Sequence, residues 1–588
     1  MAFTSGRPFL FKSILFAWVV FFPSSFPMQI DHLEDSPITV GNISSINTSS
    51  YDFDSSFKVS LPPAILQGFT YPAPLPQWKT VPEGAFGSGA IDLGGLVVSQ
   101  TRNLTQVWNT SKGNGATFFE PSSLPEGFFI LGSYAQANNV PLFGGVLVGK
   151  DVTGRSLRKP TDYALFWCSQ NSTKTGLDTT QPVYFWVPNC TTGYAAVGFL
   201  VTNTSSKPPL GKIRCVLSNF TDASVTAGDP IWSVHGVSIS TAIPQERGGV
   251  QARALAMCSF MIQASSTNLS SLPPTPACLR NTNQNFSSAA MPNKTQIQTL
   301  MEAYGPLFYF HPDEKFLPSS VEWFFQNGAL LVWKNGSSEA GVPVLLNGSN
   351  LPLNGTGYWL DLPANATEKQ RVKRGDVQNA TAYVHVKSMF GGTFTDMAVW
   401  VFYPFNGPAF LKVGPETITL ETIGEHTGDW EHVTLRINNF DGALESVFFS
   451  QHAGGVWVKA PQLEFLNATN KPVVYASLHG HAAYPEKGEN LLGSGLVKIK
   501  NSAAIGNVSM DTGLNFTLVS AECLGEDAVV EPNWLNSSLA WGPTITYGIA
   551  KELKPFRQNL PPEVTHEQGP CSPKLKESWS GDEMCWNH

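Results

Sequence analysis

Apolar and polar positions alternate strictly along Glu431-His432-Val433-Thr434-Leu435-Arg436-Ile437, the clearest patterning in the chain. A period of two predicts a strand. It places Glu431, Val433, Leu435 and Ile437 on one face, with Asp429 at the entrance. Trp430, His432, Thr434 and Arg436 fall on the other face. Similar runs predict strands at Met397 to Tyr403, Ser446 to Ser450 and Val473 to Leu478. From about residue 61 to 285, short aromatic and β-branched runs alternate with Gly, Pro and Asn turns, and long amphipathic helical patterns are scarce. The fold predicted is mainly β.

The N-terminal half carries an internal echo. Pro125-Glu126-Gly127-Phe128-Phe129-Ile130-Leu131-Gly132 is answered by Thr191-Thr192-Gly193-Tyr194-Ala195-Ala196-Val197-Gly198, at a period of roughly 66 residues. Each is followed by a proline-bearing turn and a strand-like run, Gly145 to Lys150 and Lys212 to Leu217. A weaker third copy is expected around Ile91 to Val98. One small sheet per repeat, related by pseudo-threefold symmetry, predicts a β-prism-like module over 61–285. A polar, Asn-rich stretch from 279 to 296 marks the boundary to a β-sandwich-type domain over 296–588.

At 588 residues the chain exceeds one ordinary core, so two large domains are expected. Its net charge of −8 includes no extended basic stripe, which argues against a nucleic-acid partner. Residues 1–28 read as a signal peptide, with an apolar block Ser13 to Phe22 too short for an ordinary bilayer span. Residues 29–60 read as a polar linker. About twenty Asn-x-Ser/Thr sequons run from Asn42 to Asn536, among them Asn103, Asn109, Asn171, Asn219, Asn365, Asn467 and Asn515. The eight cysteines form no CxxC pair, so zinc-ribbon and thioredoxin readings fail, and disulfides in an oxidising compartment are expected. These features place the chain in the secretory pathway, secreted or vacuolar.

The candidate chemistry precedes and enters the predicted strand. His426, Asp429 and Glu431 bring an imidazole and two carboxylates to the core-facing side, where bare charge is too costly. One divalent cation, Mg²⁺, Ca²⁺ or Mn²⁺ by ligand hardness, satisfies all three. A hydrogen-bond network fixing a loop satisfies them too, and the residues leave both readings open. His432, His452, His479 and His481 lie at or beside strand ends and are secondary candidates. Segments bearing these histidines could converge on one sheet edge.

Several segments resemble a known family. Tyr309-Phe310-His311-Pro312-Asp313-Glu314, Phe402-Tyr403-Pro404-Phe405-Asn406-Gly407-Pro408, Gly428-Asp429-Trp430-Glu431-His432 and Leu478-His479-Gly480-His481-Ala482 closely resemble plant vacuolar protein sorting-associated protein 62-like proteins. Gly89 to Leu96 and Ala116 to Pro121 extend the resemblance into the N-terminal half. It implies a role in vacuolar trafficking. More distantly, His426-x-x-Asp429-Trp430-Glu431 is similar to the motif of the necrosis- and ethylene-inducing-peptide-like proteins, secreted β-sandwich toxins. That resemblance implies a divalent cation held by His426, Asp429 and Glu431 near a site for membrane sphingolipid sugars. Asn406 stands where those toxins supply a further acid, and Gly428 where they have histidine.

Three functions stay open. The first is a non-enzymatic binding protein of the endomembrane system that recognises a glycan or a lipid headgroup. The second is a sorting factor. The third is a metal-dependent hydrolase, against which no nucleophile elbow, HExxH or phosphate-cradling loop appears.

Overall fold

Three of the small sheets in the N-terminal half of the computed structural model, each of three strands, surround a common aromatic core. The first holds Leu104–Thr110, Ala116–Pro121 and Tyr134–Ala137, and the second Asp162–Cys168, Tyr184–Asn189 and Leu200–Thr202. The third holds Ser224–Val234, Val237–Pro244 and Phe260–Ala264. Each sheet gives one ring to a central triangle, Phe118, Phe185 and Phe260, whose centroids lie 5.2, 5.7 and 6.0 Å apart. Edge-to-face contacts between large rings pack such a core densely without helices.

The echo has a physical cause. Gly132 and Gly198 immediately precede or adjoin the last strands of their sheets and touch each other: a Cβ on Gly198 would lie 2.6 Å from the Gly132 Cα. Ser259 completes the meeting point, its Oγ donating to Ser133 O at 3.0 Å. The third repeat is therefore centred on Ser259 and not on Ile91 to Val98. That run is instead a hairpin, Ile91–Asp92 against Leu96–Thr101, turned at Gly94-Gly95 with both amides donating to Asp92 Oδ1. Serine in place of glycine hid the true copy. Because no space exists beside it, Gly198→Ala should lower stability by about 1–3 kcal/mol, read as a shift in the denaturation midpoint.

The structure describes residues 68 to 583, apart from short stretches of which the longest are 172–180, 265–274 and 547–565. The expected signal peptide and linker lie outside the described residues. All described residues belong to one compact unit, Phe53–His588. Cys190 and Cys215 form a disulfide, whereas Cys168, Cys523 and Cys571 are thiols. No helix among the described residues is long and apolar enough to cross a membrane.

The C-terminal half is organised by one six-stranded sheet. In chain order its strands are β1 (Ala382–Met389), β2 (Phe394–Asn406), β3 (His426–Asn438), β4 (Leu444–Gln451), β5 (Gly454–Lys459) and β6 (Phe516–Ala521). They lie in the order β5-β4-β3-β2-β1-β6, antiparallel except for the parallel β1–β6 pair. Val399, Val401, Tyr403, Val433, Leu435 and Ile437 face a core shared with the helix Lys294–Tyr304 and with Phe308 and Val474 of a second sheet. The opposite face is buried as well, with Trp400, Phe402 and Trp430 packed against Phe324, Trp534, Trp541 and Trp579. The alternation at 431–437 therefore separates two cores rather than core from solvent.

Candidate functional site

Strand β3 runs antiparallel to β2 in a register that sets Asn406 opposite His426, Tyr403 opposite Asp429 and Val401 opposite Glu431. Asp429 and Glu431 thus project on the same side as Val433. The turn Leu478-His479-Gly480-His481 brings an imidazole to them: His481 Nδ1 lies 2.8 Å from Asp429 Oδ2. A carboxylate oxygen only accepts, so Nδ1 carries the proton. The other nitrogen, Nε2, is 3.9 Å from Glu314 Oε2 and is buried without a hydrogen-bond partner among the described residues. The ring lies flat on Tyr403, with 3.8 Å between centroids. The Tyr403 hydroxyl is likewise buried without a partner among the described residues.

Glu314 fixes the turn. Its Oε2 accepts from His479 N at 2.6 Å, and its Oε1 accepts from Lys315 N and Phe316 N at 2.9 Å. Glu431 is less enclosed, and its Oε2 accepts from Ser450 Oγ at 2.8 Å. His452, His479 and His481 all have positive φ, at 54°, 67° and 53°. Such conformations cost energy in a non-glycine residue and concentrate at functional sites. Three histidines in this conformation near one sheet edge mark this end of the sheet.

The charges are unequal by design of the surroundings. Burial would raise the Asp429 carboxyl, but the His481 hydrogen bond and the nearby His426 and His481 outweigh it and hold it below the usual range. Burial and then the Asp429 charge push Glu431 up to about 8. Burial would lower His481, yet its bond to Asp429 and the Glu314 charge raise it. The surroundings therefore favour an Asp429 carboxylate beside a protonated His481, and they keep the proton on Glu431 up to about 8. Opposed carboxylates that separate in this way are a signature of functional sites.

His426 is turned toward the backbone that precedes Asp429. Its Nδ1 lies 2.6 Å from Gly428 O, so that nitrogen is the donor. Burial lowers its affinity for a second proton, more than Asp429 restores it. The Nε2 lone pair is thereby left as the ring's acceptor, a tautomer common in metal-binding histidines. Asn406 turns its amide nitrogen to Gly407 O and Gly424 O, at 3.0 and 2.7 Å. Among the described residues, no three His, Cys, Asp or Glu side chains are grouped so as to hold a metal ion.

The secondary candidates divide. His479 and His481 belong to the centre, His479 with Nδ1 3.0 Å from Pro408 O. His452 lies at the end of β4, its Nε2 3.2 Å from Asn501 Oδ1. His432 belongs to the opposite face, stacked on Trp400 at 4.1 Å and 3.3 Å from Glu583 Oε1.

That opposite face holds a network the sequence did not announce. Arg436 donates Nε and Nη2 to the two oxygens of Asp396, at 2.8 and 2.7 Å, and Nη2 to Asp582 at 3.2 Å. Lys387 donates to Ser578 O and Gly581 O, at 2.7 and 3.1 Å, and Thr434 Oγ1 to Glu583 at 2.9 Å. The segment Cys571 to Glu583 is thus a strap across β1, β2 and β3, with Trp579 stacked on His385 at 3.7 Å. Glu314, Ser450 and Tyr403 were also missed as members of the site. The available signal was charge inside apolar strands: Lys387 and Asp396 are direct cross-strand partners, as are Asp396 and Arg436.

With this geometry in place, comparison with known proteins is decisive at the family level. The family model described as vacuolar protein sorting-associated protein 62 matches residues 65–583. This chain belongs to that family. The Saccharomyces cerevisiae vacuolar protein sorting-associated protein 62 is 27% identical over 233 residues, covering 36% of this chain and 46% of the relative. The putative vacuolar protein sorting-associated protein TDA6 of the same yeast is 23% identical over 260 residues, covering 37% and 52%. The chain spans about half the length of the curated relatives it matches. Among solved structures, Necrosis and Ethylene inducing Protein 2 from the agent of cocoa's Witches Broom disease matches at a TM-score of 0.19 and 14% identity, over 41% of this chain and 79% of that one. NLPPya in complex with glucosamine matches at 0.21 and 12%, over 41% and 80%. GNIP1Aa from Chromobacterium piscinae matches at 0.26 and 16%, over 36% and 40%. Likeness at these scores carries no argument about what this chain binds.

Proposed function

We infer that this chain is a non-enzymatic binding protein of the vacuolar and secretory endomembrane system. It recognises a polar ligand, a glycan or a lipid headgroup, at the sheet end marked by Asp429, Glu431 and His481. The observation that carries this reading is the excess of buried acid there. Asp429, Glu431 and Glu314 surround one imidazole whose Nε2 has no hydrogen-bond partner among the described residues, beside a tyrosine hydroxyl that also has none there. A sheet needs no such group to fold, and unsatisfied buried polar atoms call for a partner.

One divalent cation, Mg²⁺, Ca²⁺ or Mn²⁺, fits the chemistry of the donors. Asp429, Glu431 and His426 Nε2 would hold it, with Asn406 beside them, only after drawing together, since among the described residues these side chains are not grouped to hold a metal ion. It would supply the positive charge that the His481 imidazolium and the Glu431 proton supply otherwise. Polar ligand hydroxyls would then complete its shell.

The test is a melting measurement on the purified chain with and without chelator, followed by glycan and lipid arrays under both conditions. A cation bound only to the folded state raises the melting temperature by mass action. Asp429→Asn should reproduce the loss caused by chelator and abolish further sensitivity to it. Equal melting in both conditions would end the cation reading. A network without metal predicts instead that Asp429→Asn costs about 1–3 kcal/mol, from broken hydrogen bonds alone.

Family membership favours a second reading, a sorting factor in vacuolar trafficking. It predicts a protein partner in pull-downs from endomembranes, lost on Asp429→Asn only if the same site is used.

A further inference from the structure

Three of the most exposed leucines among the described residues are close neighbours in sequence. Leu345, Leu346 and Leu353 lie in the connection between the strands Ser338–Pro343 and Tyr358–Asp361, with 53%, 61% and 76% of their surface exposed. That connection is tied to the segment 533–538: Asn533 Nδ2 donates to Asn347 O, Ser537 Oγ to Pro352 O and Ser538 Oγ to Leu353 O. Val530, 87% exposed, precedes that segment. Leu575, 51% exposed, sits beside Lys574, which binds Asn536. A cluster of this kind is a partner site or an aggregation liability unless something covers it.

Two sequons stand inside it. Asn347-Gly348-Ser349 directly follows Leu346, and Asn354-Gly355-Thr356 directly follows Leu353. Both asparagines are exposed. In both, the side-chain oxygen is turned back onto the chain. Asn347 Oδ1 accepts from Ser349 N at 3.0 Å; Asn354 Oδ1 accepts from Thr356 N at 3.1 Å and from Thr356 Oγ1 at 2.8 Å. Asn515 is the contrast, since its amide nitrogen is spent on Ala380 O at 2.7 Å.

We propose that N-linked glycans on Asn347 and Asn354 cover the leucine cluster formed by Leu345, Leu346 and Leu353. The modification joins Nδ2 of each asparagine to a sugar donated by a lipid-linked oligosaccharide in the lumen, with the lipid diphosphate as leaving group. A bulky hydrophilic chain beside the Leu345-Leu346 pair and another beside Leu353 then keep proteins and bilayers away. The apolar faces of the sugars lie over the leucines. This arrangement argues against membrane docking, because glycans at the rim would hold a bilayer off. The proposal rests on the luminal location inferred above.

Glycopeptide mapping of the full chain secreted from a eukaryotic host tests it. Asn347 and Asn354 should be occupied, and the double variant Asn347→Gln/Asn354→Gln should self-associate in sizing experiments. Adding Leu345→Ser, Leu346→Ser and Leu353→Ser should restore the parent's elution. Occupancy elsewhere with these two asparagines bare would overturn the proposal while leaving the luminal location standing. A chain with no glycan at any sequon would overturn both. A double variant that elutes as the parent does would also overturn it.

Discussion

Arg436→Met should be the most destabilising single change at the sheet, by about 3–5 kcal/mol. The arginine satisfies both oxygens of Asp396 and one of Asp582, all within a buried face. Removing it strips Asp396 of its two-pronged partner and Asp582 of one hydrogen bond, within a buried face. Urea denaturation with an unchanged slope and a lower midpoint is the expected readout. The arithmetic reverses when the acids leave too. Arg436→Met with Asp396→Val and Asp582→Leu should recover most of the loss, because a well-packed apolar trio is often no worse than a buried ion network. If Arg436→Met alone costs under about 1 kcal/mol, the strap does not seal this face as described.

The second large effect is in the pH profile. Glu431 titrates near about 8 in the fold against 4.5 in the unfolded chain, because burial and Asp429 disfavour its charge. Between those values the folded chain keeps a proton that the unfolded chain has lost, so stability falls as pH rises. His481, raised from 6.5, acts in the same direction: its contribution is full below 6.5 and is lost as pH climbs through its folded value. His385, His426, His432 and His479 are lowered, chiefly by burial, and their contribution is lost as pH falls through 6.5. Asp429, held low, loses its contribution only as pH drops below 3.8. Stability should therefore peak near 6.5, where the two limbs meet. Glu431→Gln keeps an acceptor for Ser450 and removes much of the alkaline limb. Its gain over the parent should be on the order of 2 kcal/mol at pH 8 and small at pH 5. Parallel pH profiles for the two proteins would show that Glu431 ionises normally.

Much of the sheet was legible because β3 alternates without a break, and alternation survives any tertiary context. Asp429 and Glu431 were legible for the same reason, since parity places them beside Val433 on the inner face. The partners of those acids were harder to read. His481 is brought to Asp429 by a turn, across 52 positions. Glu314 meets His479 across 165. The strap was illegible. Asp582 and Glu583 end a segment with no periodicity, and their partners Arg436 and His432 lie 146 and 151 residues earlier. Local pattern records which side a residue faces, and only chain geometry records what it meets there.

The pairings also set how the chain reaches this state. Strand β1 is joined in parallel by β6, with Ala382 beside Phe516. Tyr71 Oη reaches Leu444 O, and Ala73 N reaches Asn470 Oδ1, across 373 and 397 positions. Contacts this distant in sequence must wait for long loops to close, so refolding from denaturant should be slow for a reason unrelated to final stability. The β1 edge stands open until β6 arrives, and an open edge pairs with other copies as readily as with its own strand. Yield during refolding should accordingly depend on concentration, falling as copies meet before β6 has closed the sheet.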